Sequence, residues 1–176
     1  MPNYKVNLAY DGTNYSGFQR QENSNSVQEE VEKALEVIYH RKISIISSGR
    51  TDSGVHAKEQ VINFKADNRV PSQHFPKALQ GLLPCDIVAY HSEEVPMEFH
   101  ARASAKEKEY CYTIDNASFN NVFLRKYAYH INYSLDLEAM QAAASYIIGE
   151  HDFSSFRAAG SDIIDNHRIM AKAEIY

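Results

Sequence analysis

The chain of 176 residues has no tryptophan, only two cysteines and no apolar run of membrane-spanning length. Cys85 and Cys111 lie too far apart for the disulfide framework of a small secreted domain or for metal-ligand spacing, so a reducing compartment is expected. Met1-Pro2-Asn3-Tyr4 lacks the charged and apolar regions of a signal peptide. These absences point to a cytoplasmic chain without a membrane partner. Eight histidines show neither HExxH nor paired spacing, and no metal site is expected. Internal repeats, low-complexity runs and linkers are also missing.

What is present is ordinary for a globular protein: 44% hydrophobic and 23% charged residues, enough for one domain or two unequal lobes. The net charge of −5 argues mildly against a nucleic-acid partner. Phosphate binding depends on where cations sit, however, and Arg20, Arg50, Arg102, Lys106 and Lys108 fall close to the motifs described below.

Periodicity predicts a β-α-β-β start. Residues 4–10 alternate as a strand and break at Asp11-Gly12. Residues 26–38 read as a helix with Ser26 and Glu29 at capping-box spacing and Val27, Val31, Ala34, Leu35 and Ile38 on one stripe. Strands follow at residues 44–48 and 60–66. A helix over 72–82 is bounded by Pro71 and Pro84, and strands are predicted at 86–90 and 106–114. A third helix, 137–148, stops at Gly149, and residues 169–176 alternate as a strand. The expected fold is α+β, a mainly antiparallel sheet with helices on one face.

Between the second and third strands lies Gly49-Arg50-Thr51-Asp52-Ser53-Gly54-Val55-His56-Ala57. A glycine-flanked loop at strand ends suits the presentation of a reactive side chain, and Arg50 close to Asp52 would favour the ionised carboxylate. Asp-Ser-Gly is by itself also a plain turn sequence. A second run, Tyr10-Asp11-Gly12-Thr13-Asn14-Tyr15-Ser16-Gly17-Phe18-Gln19-Arg20-Gln21, precedes Ser26-Val27-Gln28. Further on come Phe99-His100-Ala101-Arg102, Lys108-Glu109-Tyr110-Cys111-Tyr112 and His151-Asp152-Phe153-Ser154-Ser155-Phe156-Arg157.

In this order the segments closely resemble the tRNA pseudouridine synthase A (TruA) family, and the likeness runs the length of the chain. It departs at Phe18, where the family has tryptophan, and at Ser161-Asp162-Ile163-Ile164-Asp165, where many relatives are basic or small. The resemblance implies a pseudouridine synthase-like fold, with a ferredoxin-like N-terminal lobe over residues 1–104 and the start of a second lobe over 105–176. It implies isomerisation of uridine to pseudouridine at positions 38–40 of the tRNA anticodon arm, without cofactor, and a homodimer across which the tRNA lies.

Carried over residue by residue, the resemblance makes Asp52 the catalytic carboxylate, with Arg50 and Tyr110 as its catalytic companions. Addition to C1′, addition to C6 and abstraction of the C2′ proton all remain open for Asp52. Tyr110 would stack on the flipped uracil and exchange a proton at C5, although Tyr110, Tyr112 and Ile114 also have the period of a packed strand. Gln19, Arg20, His56, Arg102 and Arg157 are the further candidates for substrate contact. Arg102 has the alternative of a surface ion pair and His56 of a purely structural role.

An alternating strand that simply stops at Tyr176 is the expectation for a portion of a longer protein, since family members continue beyond this point. The competing functional expectation is therefore a catalytically incomplete tRNA-binding fragment. A ligand-binding domain unrelated to RNA would need the long motif matches to be accidental.

Overall fold

The structure is a computed structural model that describes residues 1–156 and 165–176. It divides into two compact units, Met1–Tyr110 and Cys111–Tyr176.

In the first unit, strand β1 (Asn3–Tyr10) is central. It pairs antiparallel with β3 (Ala57–Lys65) on one side and β4 (Ile87–Val95) on the other, and β2 (Ile46–Ser47) adds to β3. The sheet order is β2-β3-β1-β4. Register shifts interrupt β1 between Leu8 and Tyr10 against β3, and between Asn7 and Leu8 against β4. Such irregularities bend a strand at the end from which its loop departs.

Helix α1 (Val27–Tyr39) forms where the apolar stripe predicted it. The Ser26 hydroxyl accepts from the Glu29 N–H at 3.2 Å, capping the first turn. The Glu29 carboxylate turns instead to Lys33, 3.2 Å away. The second predicted helix is shorter than expected: a 3-10 turn, Ser72–His74, leads into α2 (Phe75–Gln80).

One sheet face carries Tyr4, Val6, Leu8, Ile62, Phe64 and Ile87, which form a single buried cluster with Val27, Val31 and Leu35 of α1 and Phe75 and Leu79 of α2. Phe75 stands edge-on to Phe64 at 5.3 Å and tilts against Tyr4 at 4.9 Å. Each such side chain contributes roughly 1.5–3 kcal/mol by its burial. β4 runs past the predicted end at residue 90. It is an edge strand, and its Glu93 is paired across the sheet with Lys5 at 2.9 Å.

The second unit contains β5 (Ile114–Asp115) parallel to β6 (Tyr129–His130), α3 (Leu137–Ser145), and β7 (Gly149–Asp152) antiparallel to β8 (His167–Met170). Asp136 caps α3 through the Ala139 N–H, and Gly149 (φ 109°) takes the left-handed turn into β7. None of this unit's described residues is buried.

Two predicted strands are corrected here. Of residues 106–114 only Ile114 is in a strand, and of 169–176 only Ile169 and Met170 are. Alternation supplies a face but no hydrogen-bonding neighbour, and a strand requires both.

Candidate active site

Residues 48–56, between β2 and β3, dock onto the loop that follows β1. Phe18 N–H donates to Thr51 O (3.0 Å), Gly54 N–H to Tyr15 O (3.1 Å), and the Ser53 hydroxyl to Tyr15 O (3.3 Å). Tyr10 and Thr51 share a hydroxyl hydrogen bond of 2.8 Å, and Gln60 Nε2 holds Gly49 O at 2.6 Å. Two glycines allow this approach. A Cβ on Gly12 would lie 2.0 Å from the Val55 carbonyl oxygen. On Gly17 (φ 101°) it would lie 2.6 Å from Thr51 O.

His56 lies at the far end of the loop. Its Nδ1 accepts from the Gly12 N–H at 3.1 Å and lies 3.1 Å from Asp11 Oδ1. Asp11 in turn accepts from the Thr13 N–H at 2.9 Å and caps the short turn Gly12–Asn14. His56 is thus tied into the interlock of the two loops.

Asp52 is held by backbone rather than by side chains. Its carbonyl accepts from the Val55 N–H at 3.2 Å, and its exposed carboxylate has no ion-pair partner among the described residues. The expected neighbour is not such a partner. Arg50 turns instead into a cleft of about 270 Å³, lined also by Gln19, Gln28, Ser47, His100 and Arg102. Between the two charged residues, Thr51 is tied by its carbonyl to the Phe18 N–H and by its hydroxyl to Tyr10 at the end of β1, which fixes the loop there.

The cleft has a definite electrostatic character. Among the described residues no acidic side chain lines it, and neither Arg50 nor Arg102 has an ion-pair partner within 4.0 Å. Glu32 lies behind it, with one oxygen 2.8 Å from the Arg20 guanidinium and the other accepting from Ile45 N–H (3.1 Å) and Gln28 Nε2 (3.0 Å). Arg20 is therefore engaged in the wall, while Gln19 faces the opening. Two free guanidiniums, an imidazole and two amides suit a polyanion with hydrogen-bonding edges.

The remaining candidates stand apart. Tyr110 ends the first unit, 74% exposed and outside the cleft lining. Arg157 and Ser161 to Ile164 fall outside the described residues. Gln28, Ser47 and His100 were not among the residues expected to contact substrate. Gln28 and His100 were visible as members of quoted motifs, whereas Ser47 offered no signal. Among the described residues no group of three or more His, Cys, Asp and Glu is placed to hold a metal ion, and no helix is long and apolar enough to cross a membrane.

Comparison with known proteins bears on this geometry. The tRNA pseudouridine synthase family profile matches residues 8–102, which include both interlocked loops and Arg102. The chain is 48% identical to tRNA pseudouridine synthase A of Acetivibrio thermocellus over 161 residues, covering 92% of this chain and 66% of the relative. It is 47% identical to tRNA pseudouridine synthase A of Clostridium acetobutylicum over 175 residues, covering 99% of this chain and 72% of that protein. Against tRNA pseudouridine synthase A 2 of Clostridium perfringens the identity is 42%, with the same coverage of 99% and 72%. The chain thus spans 66–72% of the length of these relatives.

Proposed function

The chain belongs to the tRNA pseudouridine synthase family, and from that premise we propose that it isomerises uridine to pseudouridine in tRNA, at positions 38–40 of the anticodon arm. The observation that supports this reading best is the exposed carboxylate of Asp52, which has no ion-pair partner among the described residues. It stands on a loop locked by glycine-mediated contacts, two residues from a cation-lined cleft.

The reaction breaks the bond from ribose C1′ to uracil N1, turns the base, and joins C5 to C1′. N1 gains a proton and C5 loses one, so the conversion is redox-neutral. Asp52 serves as the carboxylate at the sugar and base edge, by one of the three roles open to it. The target nucleotide must leave its stack to reach that carboxylate. Arg50 and Arg102 meet the negative charge of the backbone, and Gln19 and His100 offer hydrogen bonds at the same opening. Tyr110 stacks on the base and handles the C5 proton in this reading. Arg20, His56 and Arg157 complete the substrate-binding set of this reading. The functional unit is a cytoplasmic homodimer.

A second reading is tRNA binding without turnover. It draws on the second unit, which buries none of its described residues and leaves Tyr112, Phe119 and Phe123 more than four-fifths exposed.

Tritium release from tRNA labelled at C5 of uridine separates the two, because the new C–C bond frees that hydrogen. Release by the protein and none by Asp52→Ala, with tRNA affinity changed less than about twofold, is the expected result. Release by Asp52→Ala would remove Asp52 as the catalytic carboxylate. No release by a folded, tRNA-binding protein would establish the second reading.

A further inference from the structure

On the sheet face away from α1 and α2, two asparagines are buried against each other. Asn3 of β1 is fully buried and Asn63 of β3 is 1% exposed. They stand diagonally across the β1–β3 ladder, since Asn63 is registered with Lys5. Asn63 Nδ2 donates to Asn3 Oδ1 at 2.9 Å. The atoms of this pair that remain all turn to one short stretch of chain. Asn3 Nδ2 donates to Pro96 O (3.0 Å) and Phe99 O (2.9 Å), and Asn63 Oδ1 accepts the Ala101 N–H at 2.8 Å.

Residues 96–101 leave the edge strand β4 and carry His100 and Arg102 to the cleft wall. Ala101, between them, is 2% exposed and is the residue whose N–H Asn63 grips. Fixing that peptide fixes the departure points of both cleft side chains. An amide pair suits the task, because each side chain offers donors and an acceptor and every one of them finds a partner here. Apolar residues would fill the space without setting a register for the loop. A buried, fully satisfied polar pair specifies one arrangement.

We propose that the Asn3–Asn63 pair is a positioning device for substrate binding, clamping the 96–101 loop so that Arg102 and His100 face Arg50 across the cleft, where they meet an RNA phosphate. The inference rests on the cleft being the tRNA site. Asn63 acts through Arg102 and touches no substrate itself.

The test is a double-mutant cycle of Asn63→Leu and Arg102→Ala, read as affinity for an unmodified tRNA transcript over a range of salt concentrations. The leucine variant adds no charge, so it changes phosphate contacts only through the loop. In the unaltered protein, Arg102→Ala is expected to weaken binding about tenfold and to reduce the slope of log K against log[salt] by about 0.7–0.9. In the Asn63→Leu background the same substitution should cost less than about twofold, with the slope already reduced. A destabilised but correctly placed loop would not change that slope.

An equal cost of Arg102→Ala in both backgrounds would overturn the positioning role and leave the cleft reading standing. No cost in either would overturn both. Should Asn63→Leu not fold, Asn63→Ser takes its place in the cycle, and hydrogen exchange of the unaltered protein supplies an independent measurement. The Ala101 amide should exchange at least about 100-fold more slowly than that of Arg102. Equal exchange would overturn the clamp.

Discussion

Gly12→Ala tests whether the interlock of the two loops is what places Asp52. Gly12 is buried, and an added Cβ would meet Val55 O at 2.0 Å, Val55 C at 2.6 Å and Gly54 C at 3.1 Å. All three are backbone atoms, so no side chain can swing aside. Restoring even a 3.0 Å separation moves Val55 by at least about 1 Å. Val55 is flanked by two attachments that this shift strains, Gly54 N–H to Tyr15 O and the His56 acceptor of the Gly12 N–H. Overpacking costs about 1–3 kcal/mol, and each weakened hydrogen bond adds about 0.5–1.5 kcal/mol. The expected loss of stability is therefore about 2–6 kcal/mol. Asp52 lies three residues away on the same loop, and a displacement near 1 Å at a reacting group lowers turnover about 100-fold. Urea unfolding and tritium release measure the two effects separately. Gly81→Ala is the matched control, because nothing lies within 4 Å of its added Cβ and its φ of −86° suits any residue. A Gly12→Ala protein within about 0.5 kcal/mol of its parent and with undiminished turnover would refute the interlock argument.

Two further substitutions probe the wall behind the cleft and the far end of α1. Glu32→Ala leaves Arg20, the Ile45 N–H and Gln28 without their shared acceptor, so a loss of about 1.5–3 kcal/mol is expected in urea unfolding; a loss below 0.5 kcal/mol, on the order of a plain surface change, would show that the wall does not depend on it. Tyr39 is buried and its hydroxyl is pushed up to about 12. The folded protein thus holds this proton where the unfolded chain, near 10, has released it, and stability is present below pH 10 and lost as pH rises towards 12. Tyr39→Phe should remove up to about 1.4 kcal/mol per pH unit of that alkaline decline, and an unchanged slope would count against the assignment.

The parts of the fold that sequence made visible are those decided locally. Ser26 and the stripe of Val27, Val31 and Leu35 specify α1 within a few turns, and Ile62 and Phe64 mark the inward face of β3 by simple alternation. The same alternation placed Asn63 among the outward residues, yet it is buried. Its cover comes from residues 96–101, more than thirty positions away, and no period reports that. Arg20 was legible as a cation near a motif, but its engagement by Glu32 depends on α1 folding back beside the loop. Residues 106–113 and 171–176 carry a strand's alternation without a neighbouring strand among the described residues, so the pattern is present and the element is not. At the site, motif and geometry agree on an exposed Asp52 in the loop between β2 and β3 and differ on Arg50, which follows the ties of Thr51 to Phe18 and Tyr10 into the cleft.

The net charge of −5 and the proposed RNA substrate are reconciled by where the acids are held. Glu29 and Glu30 grip Lys33 on the surface of α1, Glu93 takes Lys5 on the sheet, and Glu32 takes Arg20 behind the cleft. The Glu93–Lys5 and Glu32–Arg20 pairs are nearly neutral beyond a few ångströms, and the Glu29–Glu30–Lys33 group leaves one negative charge on the exposed side of α1. At physiological salt, charges separated by more than about 8 Å are largely screened, so an approaching phosphate responds chiefly to what lines the opening. There it meets Arg50 and Arg102, with no acidic side chain among the described lining residues. A cleft of this kind has few cations with which to hold the proposed RNA, and their directions matter more than their number. A broad basic face can lose one side chain's aim with little effect, whereas a cleft built on two guanidiniums cannot. That is the physical reason for anchoring the wall bearing Arg102 with a buried amide pair rather than leaving it as a mobile surface loop.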